Sequence, residues 1–190
     1  MKKILCILLL LLTGCSSKTS MIEIQKHVYV EKEFKDSWLE TNEFGDSYIK
    51  EELQGGYHYH FDQQFLEIFF NTGGKIELYN YSIKENDLII SGEMIPPKTI
   101  RLVHPHLDNV TSEGVIIHEL GHYFDEKHQF SSSKQFTELY KKYRTLFNQK
   151  TKKEYFAECF KEYVGGHQEK VKPFHSYMKT ITQKIRQKNK

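Results

Sequence analysis

The apolar positions of this chain change rhythm three times. Residues 4–12 form an unbroken apolar run of nine behind a Met1-Lys2-Lys3 start. Nine residues fall short of the ~20 that a membrane-spanning helix needs, but suit the apolar region of a signal peptide. From Met21 to about Val103 the pattern is mixed and strand-rich. Short apolar or alternating runs at 24–30, 64–70, 75–81, 87–91 and 99–103 read as strands. Turn-forming stretches lie between several of them, at Asn71-Thr72-Gly73-Gly74, Lys84-Glu85-Asn86 and Pro96-Pro97. An amphipathic helix before residue 54 is equally open. Beyond Asp108 the period becomes helical. Thr111 or Ser112 can cap a helix over 113–127. Ser132 with Gln135 forms a capping-box pattern ahead of a second, with Phe136, Leu139, Tyr140, Tyr143, Leu146 and Phe147 on one stripe. A third runs over 151–164 and stops at Gly165-Gly166. Pro173 opens a fourth, with Phe174, Tyr177, Met178, Ile181 and Ile185 at helical spacing. Strands first and helices later predict an α+β fold.

Length and composition add bounds. The chain has 190 residues, of which 38% are hydrophobic and 14% aromatic, values of a globular protein and not a disordered one. The expected organisation is a signal peptide over 1–14, a short polar tether over 15–21, and one domain over 22–190. The net charge of +2 is carried by Lys2 and Lys3, so the remainder is balanced at 25 basic and 25 acidic residues. A neutral domain has no electrostatic reason to bind nucleic acid. The stretch 170–190 is locally basic and amphipathic, which reads first as a solvated helix face and second as attraction to anionic lipid. Nothing in the pattern sets an oligomeric state.

The first run ends in Leu12-Thr13-Gly14-Cys15. This resembles the bacterial lipobox, in which the chain is cut before a cysteine that carries diacylglycerol. Small residues at 13 and 14 fit a signal-peptidase pocket. The expectation is a lipoprotein anchored at Cys15 on the outer face of a bacterial membrane. Cys6 would leave with the signal, and Cys159, then alone, is expected to be a small buried apolar residue.

The chemistry concentrates at His118-Glu119-Leu120-Gly121-His122, an H-E-x-x-H sequence. On a helix, residues four apart lie one turn apart on one face, so both imidazoles can reach one zinc ion. Zinc lowers the pKa of a water it holds toward ~7. Glu119, beside the open side of the metal, can take that water's proton. With 10 histidines in the chain, chance alone produces such a sequence in roughly one composition of this kind in twenty. The surroundings strengthen it: Val115, Ile116, Ile117, Leu120 and Phe124 bury the helix, and Gly121 is small enough for another element to pack closely.

A zinc enzyme needs a third protein ligand and an open position. A third histidine in the same stretch would require a glycine where Asp125 stands, with His128 as the ligand; Asp125 instead continues the helix. A carboxylate from the later stretch Glu154-Tyr155-Phe156-Ala157-Glu158-Cys159-Phe160 fits better. Glu154, Glu158 and Glu162 share a face, and one can bind the metal while the next receives the N–H of a ligand imidazole. Glu154 also stands where a capping box with Thr151 would place it.

The two stretches together resemble the zinc metallopeptidase family that includes the catalytic domain of anthrax lethal factor and the secreted Pro-Pro endopeptidases of clostridia. The likeness covers roughly residues 95–180. There a Glu-aromatic-Phe-Ala-Glu-x-Phe helix follows the motif helix, and its first glutamate binds zinc. The resemblance implies a zincin-like fold, one zinc ion on His118, His122 and Glu154, Glu119 as general base, Glu158 behind the ligands, and a protein or peptide substrate. It also implies an oxyanion-stabilising tyrosine at 147, where this chain has Phe147. Tyr143, one turn earlier on the same stripe, is the candidate substitute, against a role as a plain core aromatic. Losing an oxyanion donor costs ~10²–10³ in rate.

His58-Tyr59-His60 and His104-Pro105-His106 are read as loop or surface residues, the second pair close enough to line the cleft. A strand such as 99–103 is expected to hold an extended peptide there. Two functions compete: a metalloendopeptidase, favoured by Glu119, and a zinc-binding surface lipoprotein that holds a partner without cutting it, favoured by Phe147.

Overall fold

The computed structural model describes residues 20–41, 47–80, 83–85, 88–104, 114–149 and 151–189. The expected signal over 1–14, most of the expected tether including Cys15, and His106, Thr111 and Ser112 lie outside them, while Met21, placed at the end of the tether, already belongs to the first strand. Where one strand was expected over 24–30, the chain makes a hairpin: β1 (Met21–Gln25) pairs antiparallel with β2 (Val28–Glu31). His27 turns the corner at φ 68°, a left-handed conformation in which histidine is among the more tolerated residues. α1 (Lys35–Leu39) buries Trp38 completely. α2 (Tyr48–Gln54) is the amphipathic helix left open before residue 54, and it stops at Gly55 with φ 87°.

The run at 64–70 is a helix and not a strand. α3 (Gln64–Asn71) buries Phe65, Leu66, Ile68 and Phe69, a one-sided helical stripe. In so short a run the helical spacing of these four is easily taken for a buried strand.

β3 (Lys75–Tyr79) follows the Gly73-Gly74 turn. β4 (Ile83–Glu85) and β5 (Leu88–Ile90) form a small antiparallel pair of their own, and β6 (Gly92–Ile95) and β7 (Thr99–Val103) flank the Pro96-Pro97 turn. The main sheet has the order β1-β2-β3-β7-β6. Its central pairs, β2–β3 and β3–β7, are parallel; the outer pairs are antiparallel. Val28, Val30, Ile76, Leu78, Ile100 and Leu102 are buried along the parallel strands and alternate with Tyr29, Glu77 and Arg101, so one face of the sheet carries the core. β7 is hydrogen-bonded on both sides, so it cannot take a peptide as a further strand; β6 is outermost.

α4 (Val115–His128) begins at Gly114, with φ 74°, and continues through Asp125 as expected. α5 (Lys134–Tyr143) is capped by Ser133, whose Oγ accepts the Phe136 N–H at 3.2 Å, one residue beyond the expected Ser132. It ends at Tyr143, so Leu146 and Phe147 lie past it. α6 (Lys152–Val164) is capped by Thr151 and stops at Gly165. α7 (His175–Lys188) follows a 3-10 stretch that contains Pro173, and buries Tyr177, Met178, Ile181 and Ile185. α4 packs against β6, β7 and α6. Phe65, Phe124 and Phe160 join α3, α4 and α6 through edge-on and tilted rings 5.4–5.9 Å apart. The molecule is a mixed α and β structure, consistent with α+β.

Candidate metal centre

The centre exists because α4 and α6 come unusually close. A Cβ on Gly121 would lie 2.9 Å from the Ala157 backbone, so the absence of a side chain at 121 lets the helices touch. His118 and His122, one turn apart on α4, then face Glu154 in the first turn of α6. His118 Nε2 is 3.2 Å from one Glu154 oxygen, His122 Nε2 is 3.3 Å from the other, and the two imidazole nitrogens are 3.1 Å apart. These three residues are the group able to hold a metal among the described residues. Ligand atoms held ~2.0–2.1 Å from a tetrahedral zinc lie about 3.3–3.4 Å from one another, so the donor set fits such an ion.

Glu154 serves twice. Its backbone N–H donates to Thr151 Oγ1 at 3.2 Å while its carboxylate turns to the histidines, so the cap and the candidate ligand coexist. Behind them, Glu158 Oε2 lies 3.3 Å from His118 Nδ1. Nε2 of His118 faces the centre, so Nδ1–H is the natural donor to Glu158.

The charges are mutually adjusted. Burial alone would lower the His118 pKa, but hydrogen bonds to Glu154 and Glu158 outweigh it and raise it to about 9. Hydrogen bonds from His118 and His122 hold Glu154 well below the usual carboxylate range. Burial pushes Glu158 up, and its contacts with His118 and Lys161 bring it below its ordinary value. Glu119 goes the other way: burial raises it, against the attraction of both histidines and a backbone hydrogen bond from Met94. A cluster that holds a proton between two imidazoles and a carboxylate is one in which a metal cation can take the proton's place.

A cleft of about 450 Å³ opens beside these groups, with Gly92, Glu93 and Met94 of β6 on one side and Asp125, Glu126 and Lys153 near its end. Asp125 is committed elsewhere: its carboxylate accepts Ser131 N–H at 2.6 Å and Ser131 Oγ at 2.7 Å, fixing the turn after α4. Neither this clamp nor the Met94 contact was anticipated; both depend on pairings set by the fold.

Several expected residues stay away. Tyr143 is not brought to the cleft. It closes α5 with its ring against Phe174, 6.1 Å between centroids, because the stripe that carries it faces the helical core. Phe147 packs on Tyr155 at 5.2 Å. His128 packs against Phe130 with tilted rings at the far end of α4, outside the cluster. His104 is buried, not a surface or cleft residue: it sits between Trp38 and Tyr48, with Nε2 3.1 Å from the Ser37 carbonyl. His58 and His60 are exposed. Cys159 is a buried free thiol, as expected.

No family model matches the chain, and a search of curated proteins gave no match. The site therefore stands on its own geometry: a possible metal triad of two histidines and a glutamate between two packed helices, with a buried glutamate beside it.

Proposed function

We propose that this chain is a zinc-dependent endopeptidase with a zincin-like fold, held by lipid on Cys15 at the extracytoplasmic face of a bacterial membrane. The observation that carries the enzymatic part is the convergence of His118, His122 and Glu154, with Glu119 buried beside them in an open cleft. Two nitrogens and one carboxylate suit zinc, and three protein ligands leave the fourth position that a catalytic site needs. When bound, zinc would polarise a substrate carbonyl and acidify water toward ~7. The chain's own residues supply the rest. Glu119, raised by burial, is the better proton acceptor for it; it takes the proton of the attacking water and returns it to the leaving amine. Glu158 holds His118 in one tautomer. β6, the outermost strand beside the cleft, replaces β7 as the edge on which an extended peptide can lie.

The test is cleavage of a broad peptide library by the wild type and by Glu119→Ala, with a chelator as control. A second reading, a zinc-holding lipoprotein that binds a partner without cutting it, draws on one observation: among the described residues, no tyrosine lines the cleft. A wild type that holds zinc and cuts nothing favours it.

A further inference from the structure

We propose that Lys161 is a positioning residue for the metal centre: it fixes the Glu158 carboxylate against His118 and is itself held beside Tyr59, which Glu162 anchors. The inference rests on the reading of His118 as a metal ligand.

Glu158 stands between two donors. Oε2 is 3.3 Å from His118 Nδ1, a long contact, while Oε1 is 2.7 Å from Lys161 Nζ. The terminal torsion of a glutamate is broad, so one long contact does not define the carboxylate plane. A second, short and charge-assisted contact on the other oxygen does. Without it, Glu158 can turn away from Nδ1 and leave the imidazole free to rotate.

A lysine is a poor anchor by itself, because its stem is long and its rotamers many. Here the stem is enclosed. The Lys161 side chain is 17% exposed, and its ammonium lies 5.9 Å from the centre of the Tyr59 ring. Tyr59 is seated by two residues without side chains: a Cβ on Gly165 would collide with its ring, and one on Gly114 would come within 2.9 Å. Its hydroxyl donates to Glu162 Oε1 at 3.0 Å. Glu162 is buried, with His167 and Lys170 each at 3.0 Å, nearer than Lys161, which is 3.9 Å away. Lys161 therefore directs its close contact to Glu158. The segment around Tyr59 enters the centre through this chain of contacts.

The sign of one measurement separates positioning from mere proximity. A positive charge near a bound cation repels it, so deleting a bystander lysine should tighten metal binding. Deleting a residue that orients a ligand's partner should loosen it, by ~10–100-fold for groups behind a ligand. Zinc affinity is measured by competition with a chromogenic chelator for the wild type, Lys161→Met, Lys161→Arg, Glu158→Gln and the double variant Glu158→Gln/Lys161→Met, each checked for native circular dichroism. Lys161→Gln stands in should Lys161→Met fail to fold. We expect roughly a tenfold loss in Lys161→Met, most of it restored in Lys161→Arg, and no additional loss when Glu158 is already replaced. Unchanged or tighter binding in Lys161→Met, or the same loss with and without Glu158, overturns the inference alone. A wild type that binds no zinc overturns the metal-centre reading, and this inference with it.

Discussion

Glu119 and Glu154 lie on opposite sides of one chemical distinction, and substitution separates them. Glu119 is not among the residues grouped for the metal. Glu119→Ala should therefore keep its zinc and its fold while activity falls ~10²–10⁴-fold, the usual worth of a positioned proton acceptor. A zinc-loaded variant that cuts within a few-fold of wild type would remove Glu119 from the mechanism. Glu154→Gln should lose most of the metal, whereas Glu158→Gln should lose only ~10–100-fold in affinity; equal zinc content in the two would refute the division. The same residues predict a pH effect. His118 in the folded, metal-free protein titrates at about 9 against an ordinary 6.5. A raised histidine stabilises fully below 6.5 and loses that stabilisation as pH climbs through 9. Glu119, an acid raised by burial, acts in the same direction, because ionising it in place is costly. The thermal midpoint of chelator-treated protein should thus fall from pH 6.5 to 9. A flat profile would show that the cluster does not hold this proton. With zinc loaded, the metal replaces the proton and the loss should move to acid pH, as protons compete for the ligands.

At the scale of elements, the helices that carry the centre were legible and the strands beside it were less so. α4 and α6 announce themselves through capping residues, apolar stripes and stops; spacing put His118 and His122 on one face and Glu154, Glu158 and Glu162 on another, and only the family resemblance singled out Glu154. The run at 64–70 was misread although Phe65, Leu66, Ile68 and Phe69 follow helical spacing, because seven residues are too few for that period to stand out against a buried strand. β6 was missed because it is four residues long and nowhere fully buried, so its existence depends on β7 and α4 and not on its own sequence. The same logic hid Tyr59, whose partners Lys161 and Glu162 lie far away along the chain on α6. Gly121 is where element packing becomes chemistry. Gly121→Ala gains about 0.5–1 kcal/mol of helix preference. The new Cβ meets the Ala157 backbone, and overpacking of that kind costs about 1–3 kcal/mol. The clash should win: the variant should melt earlier than wild type and bind zinc more weakly, since any separation of α4 from α6 moves Glu154 away from the histidines. Unchanged zinc affinity in Gly121→Ala would show that the triad tolerates a wider helix spacing.

At the scale of the whole molecule, the proposed membrane location needs a physical means of attachment. No described helix is long and apolar enough to cross one. The basic outer face of α7 offers only a weak alternative, because its apolar residues Tyr177, Met178, Ile181 and Ile185 are consumed by the core and cannot enter lipid. Apart from the signal, the chain carries 25 basic and 25 acidic residues, so general electrostatic attraction is absent as well. On the proposed reading the attachment is covalent lipid at Cys15, outside the described residues. One acyl chain gives only marginal binding, on the order of 10⁴ M⁻¹, whereas a diacylglyceryl group supplies the second chain that stable anchoring needs. Cys15→Ala in a bacterial host should therefore abolish membrane retention. The protein should accumulate either as soluble material or as an uncut precursor that still carries residues 1–14. The two are distinguished by mass, and both lack the added lipid mass of wild type. High-salt washing should leave wild type on the membrane, because the attachment is apolar and not ionic. A Cys15→Ala protein that is processed at the same position and sediments with membranes like wild type would end the lipoprotein reading, and would shift attention to the lysines of α7, whose hold a salt wash would release.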